Sequence, residues 1–211
     1  AAAPVETPKR SKRMVAFYVS TGVALALLVG GWLLWPTLRL RYALFRVQRT
    51  DYSPPTGGRS VEADKWLSVC CAAACKGNRV AMGAIIDRPH VVFTLEPPDL
   101  GMLILPPSKM SLTYVVAKSR PALFFQVLDS RADGDALHVL RSVWRGARAV
   151  DDGLPFAPQL EGRKMSAFEE AMVRMEIGTK SSNSEVRRVA KAAVEFLKSR
   201  FPKEAAEWSE A

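Results

Sequence analysis

Three cysteines form the densest group of reactive side chains in the sequence. Cys70, Cys71 and Cys75 lie in the segment CCAAAC, and the four-residue spacing of Cys71 and Cys75 places them on one face of a helix. A metal site would need further ligands, but the chain has only two histidines, His90 and His138, and no CxxC pair. The pattern is more typical of small apolar side chains that pack a helix against a sheet. We therefore predict no metal site and no cofactor.

The sequence carries none of the common motifs of enzyme active sites. It has no Gly-x-Ser-x-Gly nucleophile elbow, no His-Glu-x-x-His zinc motif and no phosphate-binding P-loop. Neither histidine has a serine or cysteine nucleophile at a recognisable spacing. The adjacent carboxylates Asp151-Asp152 and Glu169-Glu170 point apart, because neighbouring side chains leave the backbone in different directions. We therefore predict a protein that is not an enzyme.

The composition is that of a folded protein with an excess of positive charge. Of the 211 residues 48% are apolar, and 30 Lys and Arg stand against 21 Asp and Glu. These values exclude a disordered chain, and the lack of a repeating period excludes a solenoid. The basic residues are spread over helices without interleaved aromatic side chains. We therefore predict anionic lipid headgroups or an acidic protein as partners, and no nucleic acid.

One segment near the N-terminus is long enough to cross a bilayer. Residues 14–35 contain no charge, and a helix of that length spans roughly 33 Å, against about 30 Å for the hydrocarbon core. A basic tail, residues 1–13, precedes the segment, and Trp32 and Trp35 close it at headgroup level. A cleaved signal peptide would be shorter and would end in a small-x-small site. We predict a single transmembrane helix in a bacterial inner membrane or in an inner or thylakoid membrane of an organelle.

The transmembrane segment also carries a stripe of small side chains. Gly22, Ala26 and Gly30 recur every four residues and form one face of the helix. Small residues let the backbone of a second helix approach closely within a membrane. A lone anchor needs no such face, so the stripe predicts a helix-packing surface for another membrane subunit.

The next segment, residues 36–59, is predicted to be an interfacial helix and a linker. Pro36 should end or kink the membrane helix, after which Ala43 and Val47 share an apolar side. Such a helix can lie on anionic headgroups, with its arginine side chains reaching the lipid phosphates. These arginines are Arg39, Arg41, Arg46 and Arg49. The alternative, equally open, is that the membrane helix simply continues.

Residues 60–149 are predicted to form an α+β domain, in which a small antiparallel sheet is flanked by helices. Helices are expected at 61–76 and 135–149. Between them, short β-rich runs alternate with turns about ten residues apart, too close together for helical crossovers. These runs are 79–86, 90–95, 100–105, 112–117 and 122–128. The helix at 135–149 carries an outer basic row made up of Arg141, Arg145 and Arg148.

A C-terminal helical hairpin and tail, residues 166–211, follow a linker at 150–165. Capping boxes at Ser166 and at Ser182 should open helices that end near residues 177 and 200. Their apolar stripes are too short for an independent core. The hairpin should therefore pack on the α+β domain or on a partner.

Together these features predict a non-catalytic, single-pass accessory, assembly or scaffolding subunit of a larger membrane complex, of the energy-transducing or translocation type. The layout of anchor, helix, small sheet and helix is similar to that of inner-membrane accessory proteins of translocases and of respiratory assembly. The alternative is a membrane-anchored module that binds a lipid or a peptide through a small pleckstrin-homology-like β-domain.

Overall fold

The computed structural model describes residues 10–50, 61–89, 92–94, 109–155 and 165–210. The chain divides into two compact units, Ala1–Tyr42 and Ala43–Ala211. The described part is 83% helical. Its helices are α1 (Arg10–Arg49), α2 (Val61–Cys75), α3 (Arg79–Ile86), α4 (Leu112–Ser119), α5 (Pro121–Leu128), α6 (Asp133–Val150), α7 (Ala167–Thr179), α8 (Ser184–Arg200) and α9 (Pro202–Glu210).

The predicted α+β fold is wrong, because most of the predicted sheet is helical. The runs 79–86, 112–117 and 122–128 lie in α3, α4 and α5. Among the described residues, strands are limited to an antiparallel pair of three residues each, β1 (Val92–Thr94) and β2 (Lys109–Ser111). The predicted strand at 90–95 overlaps β1, and the one at 100–105 lies outside the described residues.

The three misassigned segments are short and apolar on nearly all sides. Such a run fits a buried strand and a short buried helix equally well. The residues at the helix ends decide between them. The side chain of Asn78 accepts a hydrogen bond from the Ala81 backbone N–H at 3.0 Å and caps α3. Pro121 begins α5, where a missing N–H costs nothing.

The first unit is dominated by α1, which continues without a break through Pro36. Its segment Phe17–Arg49, 33 residues long, is the one helix in the described ranges that is long and apolar enough to span a membrane. Apolar composition and sufficient length alone do not distinguish such a helix from a signal sequence near an N-terminus. Because α1 runs on past Pro36 to Arg49, the structure contains a continuation of the membrane helix and not a separate interfacial helix.

The last turns of α1 belong to the second unit. Ala43 and Val47 are fully buried there, although the sequence placed their side of the helix on the membrane surface. The Arg49 guanidinium lies 4.1 Å from the centre of the Phe45 ring. The apolar stripe of this segment is thus covered by protein rather than by lipid headgroups.

The core of the second unit is built around α4, which contacts α2, α3, α5, α6 and α8. Tyr114 and Val116 of α4 are fully buried. The predicted hairpin is formed by α7 and α8, and it packs on α4, α5 and α6. The Ser166–Glu169 capping box opens α7 as predicted. At α8 the N-cap is Asn183 rather than Ser182.

Two glycines allow the helices of this core to approach closely. At Gly146 of α6, a Cβ atom would lie 2.2 Å from the Cβ of Tyr114 in α4. At Gly178 of α7, a Cβ atom would lie 2.9 Å from the Cβ of Ala190 in α8. Both positions therefore exclude any side chain unless the neighbouring helix moves.

Buried hydroxyl groups connect β2 and the start of α4 to α6. The Ser142 hydroxyl lies 2.8 Å from that of Ser111 and 3.0 Å from that of Thr113. It also lies 2.5 Å from the Pro89 carbonyl oxygen, to which it donates. These hydrogen bonds satisfy the buried hydroxyl groups and join the three elements.

Candidate functional site

The predicted helix-packing face is open along α1. Gly22, Ala26 and Gly30 follow one another on the same side of the helix. No atom lies within 4 Å of where a Cβ would stand on Gly22 or on Gly30. Within the part of the chain that the structure describes, this face remains free for a second helix.

The three cysteines lie on α2, where Cys70 and Cys71 are buried and Cys75 is half-buried. A hydrogen bond from the Cys71 thiol is the main cause that lowers the pKa of Cys75 to about 6. A second bond, from Ser119, acts in the same direction, and burial opposes both. Burial raises the pKa of Cys70 to about 11. Donation to Cys75, together with burial, raises the pKa of Cys71. Only Cys75 therefore combines partial exposure with thiolate character at neutral pH.

Within the described residues, the cysteines do not join other side chains in a metal centre. Across the described ranges, no three His, Cys, Asp or Glu side chains lie close enough together to hold a metal ion. His138 is half-buried on α6, and His90 lies outside those ranges.

We expect iodoacetamide at pH 7 to alkylate Cys75 much faster than Cys70 or Cys71. The thiolate is the reactive species. Of the three thiols only Cys75 has a pKa below the ordinary value for cysteine, so only Cys75 is largely ionised at pH 7. Peptide mass spectrometry after timed quenching gives the rate at each thiol between pH 5 and 9. The Cys75 rate should level off above about pH 7, one unit beyond its pKa. In Ser119→Ala that plateau should move to higher pH. Equal rates at all three thiols would contradict the assignment.

The predicted basic residues fall into two groups. Arg39, Arg41 and Arg49 of α1 are exposed, and Arg46 is half-buried. The second group is the row on α6, whose guanidinium groups lie close enough to Arg174 of α7 to influence its pKa. Arg145 is exposed, whereas Arg141 and Arg148 are half-buried.

The helix α7 adds an arginine to this row that the sequence did not single out. Glu170 of α7 binds Arg141 through one carboxylate oxygen and Arg174 through the other, the latter at 2.5 Å. Arg148 donates from its Nε to the Leu154 carbonyl oxygen at 3.2 Å. We call Arg141, Arg145, Arg148 and Arg174 the arginine cluster. The i,i+4 spacing of Glu170 and Arg174 was the available signal, but it predicts only a local pair.

Arg174 is the most enclosed member of the arginine cluster. Its side chain is 15% exposed, and its Nε is buried without a hydrogen-bond partner in the described part of the chain. Burial is the main cause that lowers the pKa of Arg174, and Glu170 opposes it. The guanidinium groups of Arg141, Arg145 and Arg148 lower that pKa further. The arrangement is electrostatically suited to receive an anion.

A groove between α5 and α8, with a volume of about 810 Å³, is another candidate site. Phe125 and Phe196 form its apolar floor, with ring centres 5.4 Å apart. Its rim carries both signs of charge, with Arg188 and Glu195 on α8. The mixed rim selects no particular ligand, so the arginine cluster is the stronger candidate site.

Comparisons with protein-family models, with curated proteins and with solved structures find no match to this chain.

Proposed function

We propose that this protein is a non-catalytic, single-pass accessory, assembly or scaffolding subunit of a larger membrane complex of the energy-transducing or translocation type. The observation that carries the proposal is the exposed apolar segment of α1 with its open face at Gly22, Ala26 and Gly30. In this proposal the segment spans a bacterial inner membrane or an inner or thylakoid membrane of an organelle. Its small-residue face binds a helix of another subunit.

The second unit supports this proposal through its surface rather than through any reactive centre. The arginine cluster provides a patch for an acidic partner subunit or for anionic lipid headgroups. The sequence carries no catalytic motif that would give the unit a separate enzymatic role. In this proposal the second unit provides a docking surface for a partner, and α1 holds that surface at the membrane.

We expect Gly22→Leu combined with Gly30→Leu to release the protein from its complex. Two leucine side chains on the small-residue face separate the helix backbones, and close contact between backbones is what stabilises such packing. The full chain is extracted from its own membrane in mild detergent and run on a native gel. The native chain should migrate with an assembly far larger than its own 23.2 kDa, and the double variant should migrate near its own size.

The matched control is Ala24→Leu combined with Gly31→Leu, which adds leucines to the opposite face of α1. Both positions are exposed, and nothing lies within 4 Å of a Cβ on Gly31. This variant should still migrate with the assembly. Carbonate extraction and N-terminal sequencing of the membrane fraction test whether α1 is retained as an anchor or removed as a signal sequence. Native protein that migrates alone, or lacks α1, would refute the proposal.

The second candidate function is a membrane-anchored module that binds an anionic lipid. The pleckstrin-homology-like β-domain first considered for it is excluded by the helical fold of the second unit. A different observation favours the candidate, namely the arginine cluster between α6 and α7. Native protein that runs alone on the gel but keeps α1 in the membrane would favour this candidate.

A further inference from the structure

Among the described residues, the guanidinium groups around Arg174 outnumber the carboxylates that act on it. The charged groups that shift the pKa of Arg174 are one carboxylate, that of Glu170, and three guanidinium groups. Among the described residues no carboxylate forms an ion pair with Arg145. Bringing like charges together and partly out of water is unfavourable. An anion from outside the chain would remove this cost.

We propose that the arginine cluster is a binding site for a phosphate group, held by the guanidinium groups of Arg174, Arg141 and Arg145. Each guanidinium offers a planar fork of donors that matches two oxygens of a phosphate. Phosphate is favoured over a carboxylate because it has more acceptor oxygens and more negative charge, so it can serve several forks at once. Glu170, with its two oxygens, is already used by Arg141 and Arg174.

This inference goes beyond the proposed function, because it names the ligand chemistry of the second unit and does not require that α1 has a partner. Two sources share that chemistry, the phosphate of a lipid headgroup and a soluble phosphate compound. The native gel reports on the helix face, whereas phosphate binding reports on the arginine cluster. Failure of one experiment is therefore distinct from failure of the other.

The first test is a titration of the full chain with inorganic phosphate, in a non-ionic detergent at constant ionic strength. Calorimetry gives the affinity, and the midpoint of thermal unfolding gives the stabilisation. Arg145→Gln should weaken phosphate binding by about 10-fold or more, since a hydrogen bond to a charged group is lost. Arg145 is exposed, so this variant keeps its fold. Lys191→Gln removes the same charge from an exposed position on α8 and should bind phosphate like the native chain.

A second variant separates ligand binding from a purely structural role of the ion pairs. In Glu170→Gln the carboxylate that competes for Arg141 and Arg174 is neutral, so phosphate should bind about 10-fold more tightly. Phosphate should also raise the unfolding midpoint of Glu170→Gln more than that of the native chain. If the pairs only hold α6 on α7, the variant loses stability and phosphate does not restore it.

Lipid discs distinguish the two sources of phosphate. The full chain is placed in discs of phosphatidylcholine, with or without phosphatidic acid, and titrated again. Discs in which oleic acid supplies the same negative charge control for repulsion of phosphate by the membrane surface. Binding of inorganic phosphate that is weaker with phosphatidic acid than with oleic acid identifies a lipid headgroup as the ligand, and equal binding identifies a soluble phosphate compound. The proposal is overturned if the native chain binds neither probe, or if Lys191→Gln loses as much affinity as Arg145→Gln.

Discussion

Gly146→Ala should destabilise the second unit by about 3 kcal/mol or more, at the upper end of overpacking effects. The added Cβ would lie 2.2 Å from the Cβ and 2.8 Å from the Cγ of Tyr114, and 3.2 Å from the Cβ of Ser111. The nearest of these atoms is the stem of a fully buried side chain, which cannot turn away. To accept the methyl group, α4 and α6 would have to separate and open the core.

Helix propensities alone would predict the opposite effect, namely that Gly146→Ala stabilises the protein. In an exposed helix, alanine is more stable than glycine by about 1 kcal/mol. Gly134 lies on the same helix, α6, and nothing is within 4 Å of its Cβ position, so Gly134→Ala is the matched control. Urea unfolding in mild detergent, followed by tryptophan fluorescence, should show a large loss for Gly146→Ala and none for Gly134→Ala. Similar midpoints for the two variants would contradict the close packing of α4 on α6.

The longer helices α2 and α6 could be predicted from the sequence because their apolar residues recur at helical spacing over several turns. The helices predicted at 61–76 and 135–149 are confirmed within two residues by α2 and α6. In α6, Asp133 and Asp135 stand in the first turn and Arg148 in the last, as the helix dipole favours. These signals depend only on residues close together in the sequence, so they can be recognised without knowledge of the fold.

The short core helices could not be predicted, because their sequences lack a polar face. In α3, the six residues from Ala81 to Ile86 are all buried, so neither a period of two nor one of 3.6 is visible. β-branched and aromatic residues in α4 and α5 favoured strands. Packing in the core outweighs that preference, since a short helix satisfies its backbone hydrogen bonds without neighbouring strands.

The candidate site shows the same division between local and tertiary information. The row Arg141, Arg145 and Arg148 follows from helical spacing alone. That Arg174 joins it depends on the packing of α7 against α6, which no local pattern encodes. The sequence therefore predicted a solvated basic face, whereas the structure encloses one arginine and places the others beside it.

Tyr114→Phe should stabilise the second unit, although it removes a polar group from the core. The Tyr114 side chain is 0% exposed, and its hydroxyl has no hydrogen-bond partner in the described residues. An unsatisfied buried polar group costs about 1–3 kcal/mol, and phenylalanine fills the same space without that cost. Urea unfolding at pH 7 should therefore give a higher free energy of unfolding for the variant.

The advantage of Tyr114→Phe should grow at alkaline pH. Burial is the main cause that raises the pKa of Tyr114 from 10.0 to about 12 in the folded protein. Below about pH 9 the phenol is protonated in both states and has no effect on the pH dependence. Between pH 10 and 12 the unfolded chain loses this proton while the folded protein retains it. The native chain therefore loses up to about 2.7 kcal/mol over this range, and the phenylalanine variant does not.

The decisive quantity is the difference between the two chains, because the other titrating groups are common to both. Tyr18→Phe is the control, since Tyr18 is 70% exposed and lies on α1, outside the core around α4. Free energies of unfolding at pH 7, 9, 10 and 11 should diverge for Tyr114→Phe only above pH 9. A variant less stable than the native chain at pH 7 would mean that the hydroxyl has a partner. A constant difference at all pH values would mean that the phenol ionises equally in both states. If only Tyr114→Phe differs increasingly from the native chain as the pH rises, ionisation of this one buried hydroxyl on α4 limits the stability of the fold at alkaline pH.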